Sequence, residues 1–176
     1  MRRLRIASIA VLIALQIALF APAALAVDDP QIDSTYAAIL LAEDGDHETL
    51  VYAKNERDKM YPASLTKVMT VLLALEAVED GSVSLSDMVT AQAGFDFDMI
   101  VGGTSANIVA GETMSLQNLL YCAMLASANE ACNVIAQHIS GSISAFVERM
   151  NQRASELGCT DTHFTNTHGL PDPNHY

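Results

Sequence analysis

The segment from Leu65 to Asp80 constrains the fold of this 176-residue chain more than any other. Val68, Val71, Leu72, Leu75 and Val78 recur at three- and four-residue spacing, the period of one face of an α-helix. Leu73 and Ala74 add apolar side chains beyond that stripe, so the helix is expected to be buried on most sides. Gly81 supplies its C-terminal stop. At its head stand Ser64 and, three residues on, Lys67, a spacing that stacks two side chains on one helical face. A serine hydroxyl is a weak nucleophile until a base takes its proton, and a desolvated lysine can be that base. The helix start follows Pro62 directly, where free backbone N–H groups would stabilise an alkoxide or oxyanion at Ser64. A plainer reading carries equal local weight: Ser64 as a helix N-cap and Lys67 as a solvated helix residue.

The remaining chain reads as short strands followed by helices. Two apolar runs, Tyr36–Ala42 and Leu50–Ala53, flank Glu43-Asp44-Gly45-Asp46-His47, and Asp-Gly between such runs predicts a hairpin turn. Residues 82–90 read as a polar link with Leu85, Met88 and Val89 as core contacts. Residues 91–111 hold four glycines and no sustained period, the mark of a surface stretch that often borders a cleft. Helical periodicity returns from Met114 through Leu125, from Ala131 to Ile139 with Gly141 as its stop, and from Ile143 to Leu157 closed by Gly158. The tail from Cys159 to Tyr176 reads as loop.

Residues 1–26 read as a signal peptide, with basic Arg2, Arg3 and Arg5, an apolar run from Ile6 to Phe20, and small residues at Ala24 and Ala26. A retained membrane anchor is the competing reading, and Pro22 favours cleavage. The mature chain is then expected to start near Val27, outside the cytoplasmic membrane, with membrane association left open. Three of the nine basic residues leave with the leader and all 21 acidic residues stay, which gives a mature balance of −15. Such a surface repels phosphate backbones, so nucleic acid is not expected as a partner. Cys122 and Cys132 lie on one helical run about 15 Å apart, too far for a disulfide. Cys159 could pair with either only if the fold brings it near, and buried free thiols acting as small hydrophobes are the expected state. His163, His168 and His175 share the tail with Asp161 and Asp172, but their spacing fits no strong zinc pattern, so no metal is expected.

A second candidate element is Ser127-Ala128-Asn129, set between two helical segments. Its hydroxyl can pass a proton and its amide can hold a substrate carbonyl or the lysine, although Ser and Asn most often simply cap and break helices. Ser105-Ala106-Asn107 has the same letters in the irregular stretch, and spacing alone does not rank the two.

Pro62-Ala63-Ser64-x-Thr66-Lys67-x-Met69-Thr70, then Leu119-Leu120-Tyr121 and Ser127-Ala128-Asn129-Glu130-Ala131, resemble the serine D-alanyl-D-alanine carboxypeptidases. These are low-molecular-weight penicillin-binding proteins. Phe146-Val147-Glu148-Arg149-Met150-Asn151, Leu157-Gly158 and Asn166-Thr167-His168-Gly169-Leu170-Pro171-Asp172 also look like that family, so the similarity spans about Tyr36 to Tyr176. The resemblance ranks Ser127 and Asn129 above the 105–107 copy, because the family's Ser-x-Asn follows its Leu-Leu-Tyr helix. It implies an α+β fold of the β-lactamase/DD-peptidase-like (transpeptidase-like) type, a helical lobe plus an antiparallel sheet. It also implies Ser64 as acyl-forming nucleophile, Lys67 as its base, Ser127 as proton relay and Asn129 as substrate-binding residue, with no cofactor and no metal. Implied partners are peptidoglycan peptides ending in D-Ala-D-Ala, with β-lactams as covalent inhibitors.

Two departures stand out. Glu130 occupies a position where the family commonly has Asp, and the family's Lys-Thr-Gly, which binds the substrate carboxylate, has no counterpart because Lys67 is the last lysine. Residues 27–176 are therefore read as an incomplete DD-peptidase catalytic domain whose C-terminal strands are missing. Two rivals remain at this point. One is a serine β-lactamase, for which no Glu-x-x-x-Asn-type element is evident; the other is a non-catalytic cell-wall or penicillin-binding module.

Overall fold

The hairpin expected near residue 45 is present: β1, Ala37–Glu43, pairs antiparallel with β2, His47–Lys54. Ile39 faces Tyr52 and Leu40 faces Leu50, so Val51 is the extra residue of a β-bulge, which bends the strand and reverses the faces beyond it. These coordinates are a computed structural model, and the structure describes residues 33–35, 37–43, 47–100 and 103–176. The leader read at 1–26 and the Asp-Gly turn at 44–46 lie outside the described residues. The chain divides into two compact units, Met1–Asp58 and Lys59–Tyr176. The first contains the hairpin, and beyond β2 the side-chain amide of Asn55 donates to the Thr35 carbonyl at 2.9 Å.

The second unit holds the helices: α1, Thr66–Glu79; α2, Leu116–Leu125; α3, Asn129–Ser140; and α4, Ile143–Glu156. Ser115 and Ser142 cap α2 and α4 by accepting from the N–H three residues on, and Gly141 ends α3 in the left-handed region. Strands β3, Met88–Thr90, and β4, Thr113–Ser115, pair antiparallel. No periodicity announces this pair, because three-residue strands separated by an irregular stretch are too short to display alternation.

The central helix is α3. Every residue from Asn129 to Ala136 is buried, and α1, α2 and α4 all pack against it. One core joins Ala74 to Phe95, Leu116, Leu119, Ala131 and Ile135; a second joins Leu73 to Ala136, Phe146, Met150 and Phe164. The apolar stripe expected to face inward on α1 is corrected accordingly. Val68 and Leu75 are exposed, while Thr66, Lys67, Thr70, Leu73, Ala74 and Ala77 are buried. In a helix apolar nearly all round, periodicity cannot choose a face, and here polar contacts made by Thr66, Lys67 and Thr70 choose it. Met88, expected in the core, is exposed, and only Val89 of β3 turns inward.

The tail is loop in conformation but not in burial. Thr167, His168 and His175 are about as buried as the core, because the segment lies across α1, α3 and α4. Asn151 of α4 holds it at both backbone groups of Phe164, accepting from its N–H at 2.8 Å and donating to its carbonyl at 2.9 Å. His163 and Tyr176 exchange two backbone hydrogen bonds at 2.7 and 2.9 Å, which closes the segment on itself. Cys122 and Cys132 lie on separate helices, α2 and α3, a correction to the single run expected; Cys132 is buried and Cys122 half-buried as free cysteines, but Cys159 is exposed, a correction to its expected burial. It follows the left-handed Gly158, where the chain has already left the core side of α4.

Candidate active site

Ser64 sits in a 3-10 turn, Ala63–Leu65, that runs directly into α1. Neither helix start carries a side-chain cap, so Ser64 is not an N-cap. Lys67 is not solvated either, with only 2% of its surface exposed. Its Nζ donates to Ser64 Oγ at 3.1 Å and to the His168 carbonyl at 2.8 Å. Burial pulls its pKa below the ordinary 10.5, opposed by Cys132 and Glu130. The Cys132 part of that opposition requires a thiolate, and burial pushes this thiol up to about 12. At neutral pH, Glu130 is therefore the neighbour that matters. The balance favours an uncharged amine more than an exposed lysine would.

Ser127 arrives from the turn between α2 and α3 and donates from Oγ to Ser64 Oγ at 3.0 Å. Its φ of +53° lies in the left-handed region, which costs a non-glycine residue about 1–3 kcal/mol. Three hydrogen bonds around the turn offset this, at roughly 0.5–1.5 kcal/mol each. Thr104 Oγ1 donates to the Ser127 carbonyl (2.7 Å), Asn129 N–H to the Thr104 carbonyl (3.1 Å), and Ala128 N–H to the Cys122 carbonyl (3.0 Å). Asn129 is 4% exposed and its side chain makes no hydrogen bond among the described residues. Gly103 leaves it room, since a Cβ there would stand 3.2 Å from Asn129 Nδ2.

The copy at 105–107 has a different task. Ser105 Oγ donates to Glu130 Oε1 at 2.7 Å, and Ala106 N–H reaches the same oxygen at 2.6 Å, which ties this loop to the head of α3. Ser64, Lys67 and Ser127 are thus brought together, and Ser105 is directed elsewhere.

The turn that carries Ser64 rests on the tail. Ala63 is left-handed at φ +48°, and Gly169 at φ +92° packs so closely that a Cβ would run into the Ala63 carbonyl. Sequence reasoning assigned no role to Asp98, Asn133, Thr70 or His175, all of which brace this region. They are scattered over the chain with no shared spacing, so only tertiary structure could collect them. Among the described residues, no three His, Cys, Asp or Glu side chains could hold a metal ion. No helix among the described residues is long and apolar enough to cross a membrane.

Solved structures similar to this chain include penicillin-binding proteins, a D-alanyl-D-alanine carboxypeptidase and a DD-transpeptidase. The penicillin-binding protein 5 of Haemophilus influenzae superposes with a TM-score of 0.74 at 32% identity, covering 84% of this chain and 42% of that one. The chain belongs to the D-alanyl-D-alanine carboxypeptidase family, peptidase S11, whose model matches residues 23–176. It is 36% identical over 170 residues to the D-alanyl-D-alanine carboxypeptidase DacF of Bacillus subtilis, covering 94% of this chain and 42% of the relative. Penicillin-binding protein D2 of Listeria monocytogenes, solved in its ampicillin-bound form, matches at 27% identity with a TM-score of 0.59, over 71% of this chain and 48% of that one. The chain spans about two fifths of the length of the curated relatives it matches.

Proposed function

We propose that this chain carries the nucleophile of a serine-type D-Ala-D-Ala carboxypeptidase. The observation that bears most weight is Ser64 Oγ in hydrogen-bond contact with both the buried Lys67 amine and the Ser127 hydroxyl. In its uncharged form Lys67 takes the Ser64 proton, and Ser64 attacks the carbonyl of the penultimate D-alanine. Ser127 passes a proton to the departing D-alanine nitrogen, leaving an acyl-enzyme that water hydrolyses. The Asn129 amide holds the peptide backbone. A β-lactam would acylate the same oxygen, in keeping with the ampicillin-bound form of the Listeria relative. On this reading residues 1–26 are a cleaved leader, and residues 27–176 belong to a catalytic domain that works on peptidoglycan outside the cytoplasmic membrane.

The test is covalent. The purified chain is incubated with a penicillin and its intact mass measured; one adduct is expected, absent from Ser64→Ala. Lys67→Ala and Ser127→Ala are expected to slow its formation by roughly 10²- to 10⁴-fold. Release of D-alanine from a peptide ending in D-Ala-D-Ala separates a carboxypeptidase from a module that binds penicillin without turnover. Unmodified wild-type mass under excess penicillin would sink the proposal.

A further inference from the structure

Lys67 Nζ has two acceptors, and the shorter contact, 2.8 Å, is to the His168 carbonyl. An amine on a flexible four-carbon stem goes where its acceptors are, so the backbone at His168 helps set the aim of Lys67. That backbone lies in neither helix nor strand; Asn166 Oδ1 accepts from the His168 and Gly169 N–H groups at 3.2 and 2.7 Å, and contacts outside the loop complete its placement. The His168 ring does part of this. Its Nδ1 accepts from Leu170 N–H at 3.2 Å, so Nε2 carries the proton and donates to Asp98 Oδ2 at 2.9 Å. The other oxygen of Asp98 accepts from Asn133 Nδ2 at 2.8 Å. Asn133 Oδ1 in turn accepts from Thr167 Oγ1 at 2.6 Å, and the Thr167 carbonyl accepts from Thr70 Oγ1 at 2.6 Å. Thr70 stands one turn along α1 from Lys67, so the circuit closes on the helix that carries the amine.

We propose that Asp98 is a positioning residue for Lys67: by bridging His168 Nε2–H and Asn133 Nδ2–H, its carboxylate holds the His168 carbonyl on the lysine amine. The inference rests on the reading of Lys67 as the base. Burial pushes the Asp98 carboxyl up, but the hydrogen bonds from His168 and Asn133 outweigh it and leave the group below the usual carboxylate range. The ionised group offers two acceptors to two donors. An asparagine would offer one acceptor and one donor, setting donor against donor on one arm. At neutral pH the charge that acts on Lys67 comes from Glu130 and not from Asp98, so the influence of Asp98 is geometric.

The chain has three lysines, 54, 59 and 67, so ¹³C-lysine labelling lets Lys67 be followed directly by NMR, assigned with Lys67→Arg. In Asp98→Asn, loss of the carbonyl contact is expected to lower the titration midpoint of Lys67 and to slow penicillin acylation roughly 10- to 100-fold. Asp98→Ser breaks the same bridge without adding a clashing donor, and the same two changes are expected; it serves if the asparagine variant does not fold. A purely structural role would reduce the folded fraction without moving the Lys67 midpoint of folded protein. An unchanged or raised midpoint in the folded variants overturns the proposal. A lowered midpoint in a chain whose wild type never acylates supports the positioning by Asp98 and counts against the proposed function alone.

Discussion

At the residue scale, Lys67 trades stability for reactivity. Taking an ammonium out of water costs several kcal/mol, and its two hydrogen bonds repay only part of that. Because its pKa is lowered on folding, the unfolded chain binds the proton more readily between the folded pKa and 10.5, and stability from this group rises with pH across that window. Lys67→Met is therefore expected to gain about 1 kcal/mol at neutral pH, roughly 3 °C in thermal midpoint, while abolishing the penicillin adduct. Gly169 is the opposite case. Its left-handed backbone and its contact with the Ala63 carbonyl leave no space for a methyl group. Gly169→Ala is expected to cost about 2 kcal/mol or more, read from urea unfolding, because both the turn of Ser64 and the tail would have to move.

At the element scale, the tail works as a brace under α1. His175 is one of its buried contacts: Thr165 N–H donates to Nδ1 at 3.0 Å, so Nε2 carries the proton and donates to Thr66 Oγ1 at 2.7 Å. Both nitrogens are committed to the neutral ring. Burial, then the nearby His168, lowers its pKa below 6.5 against the pull of Asp172. Below 6.5 the unfolded chain takes up this proton first, so the stability contributed by His175 is whole above that value and is lost as pH falls toward the folded pKa. The urea midpoint is expected to drop between pH 7.5 and 5, and His175→Gln, which keeps one donor and one acceptor, is expected to flatten that slope.

At the scale of the whole molecule, burial sorts the three thiols. Cys159 is expected to react with a maleimide within the native chain, while Cys132, buried and with its pKa pushed to about 12, reacts only on unfolding; mass spectrometry of the labelled peptides reads both. Much of the architecture was legible because it depends on local rules. Glycine stops bound α1, α3 and α4, the Asp-Gly signal marked the hairpin, and the spacing of Ser64 and Lys67 put both on one helical face without choosing between a catalytic pair and a helix cap. The β3–β4 ladder was not legible, since its pairing joins residues 23 to 27 apart. Nor was the choice between the two Ser-Ala-Asn copies in the bare sequence; the resemblance ranked them, and the hydrogen bonds of Ser105 and Ser127 give that ranking a geometry. The sequence by itself determined which segments are helical and that a serine and a lysine share the head of one of them, because helix periodicity acts over three or four residues. Tertiary structure alone decided which face of that helix is buried, and that Asp98, Asn133 and the tail brace the lysine. Those choices turn on hydrogen bonds between groups 34 to 101 residues apart.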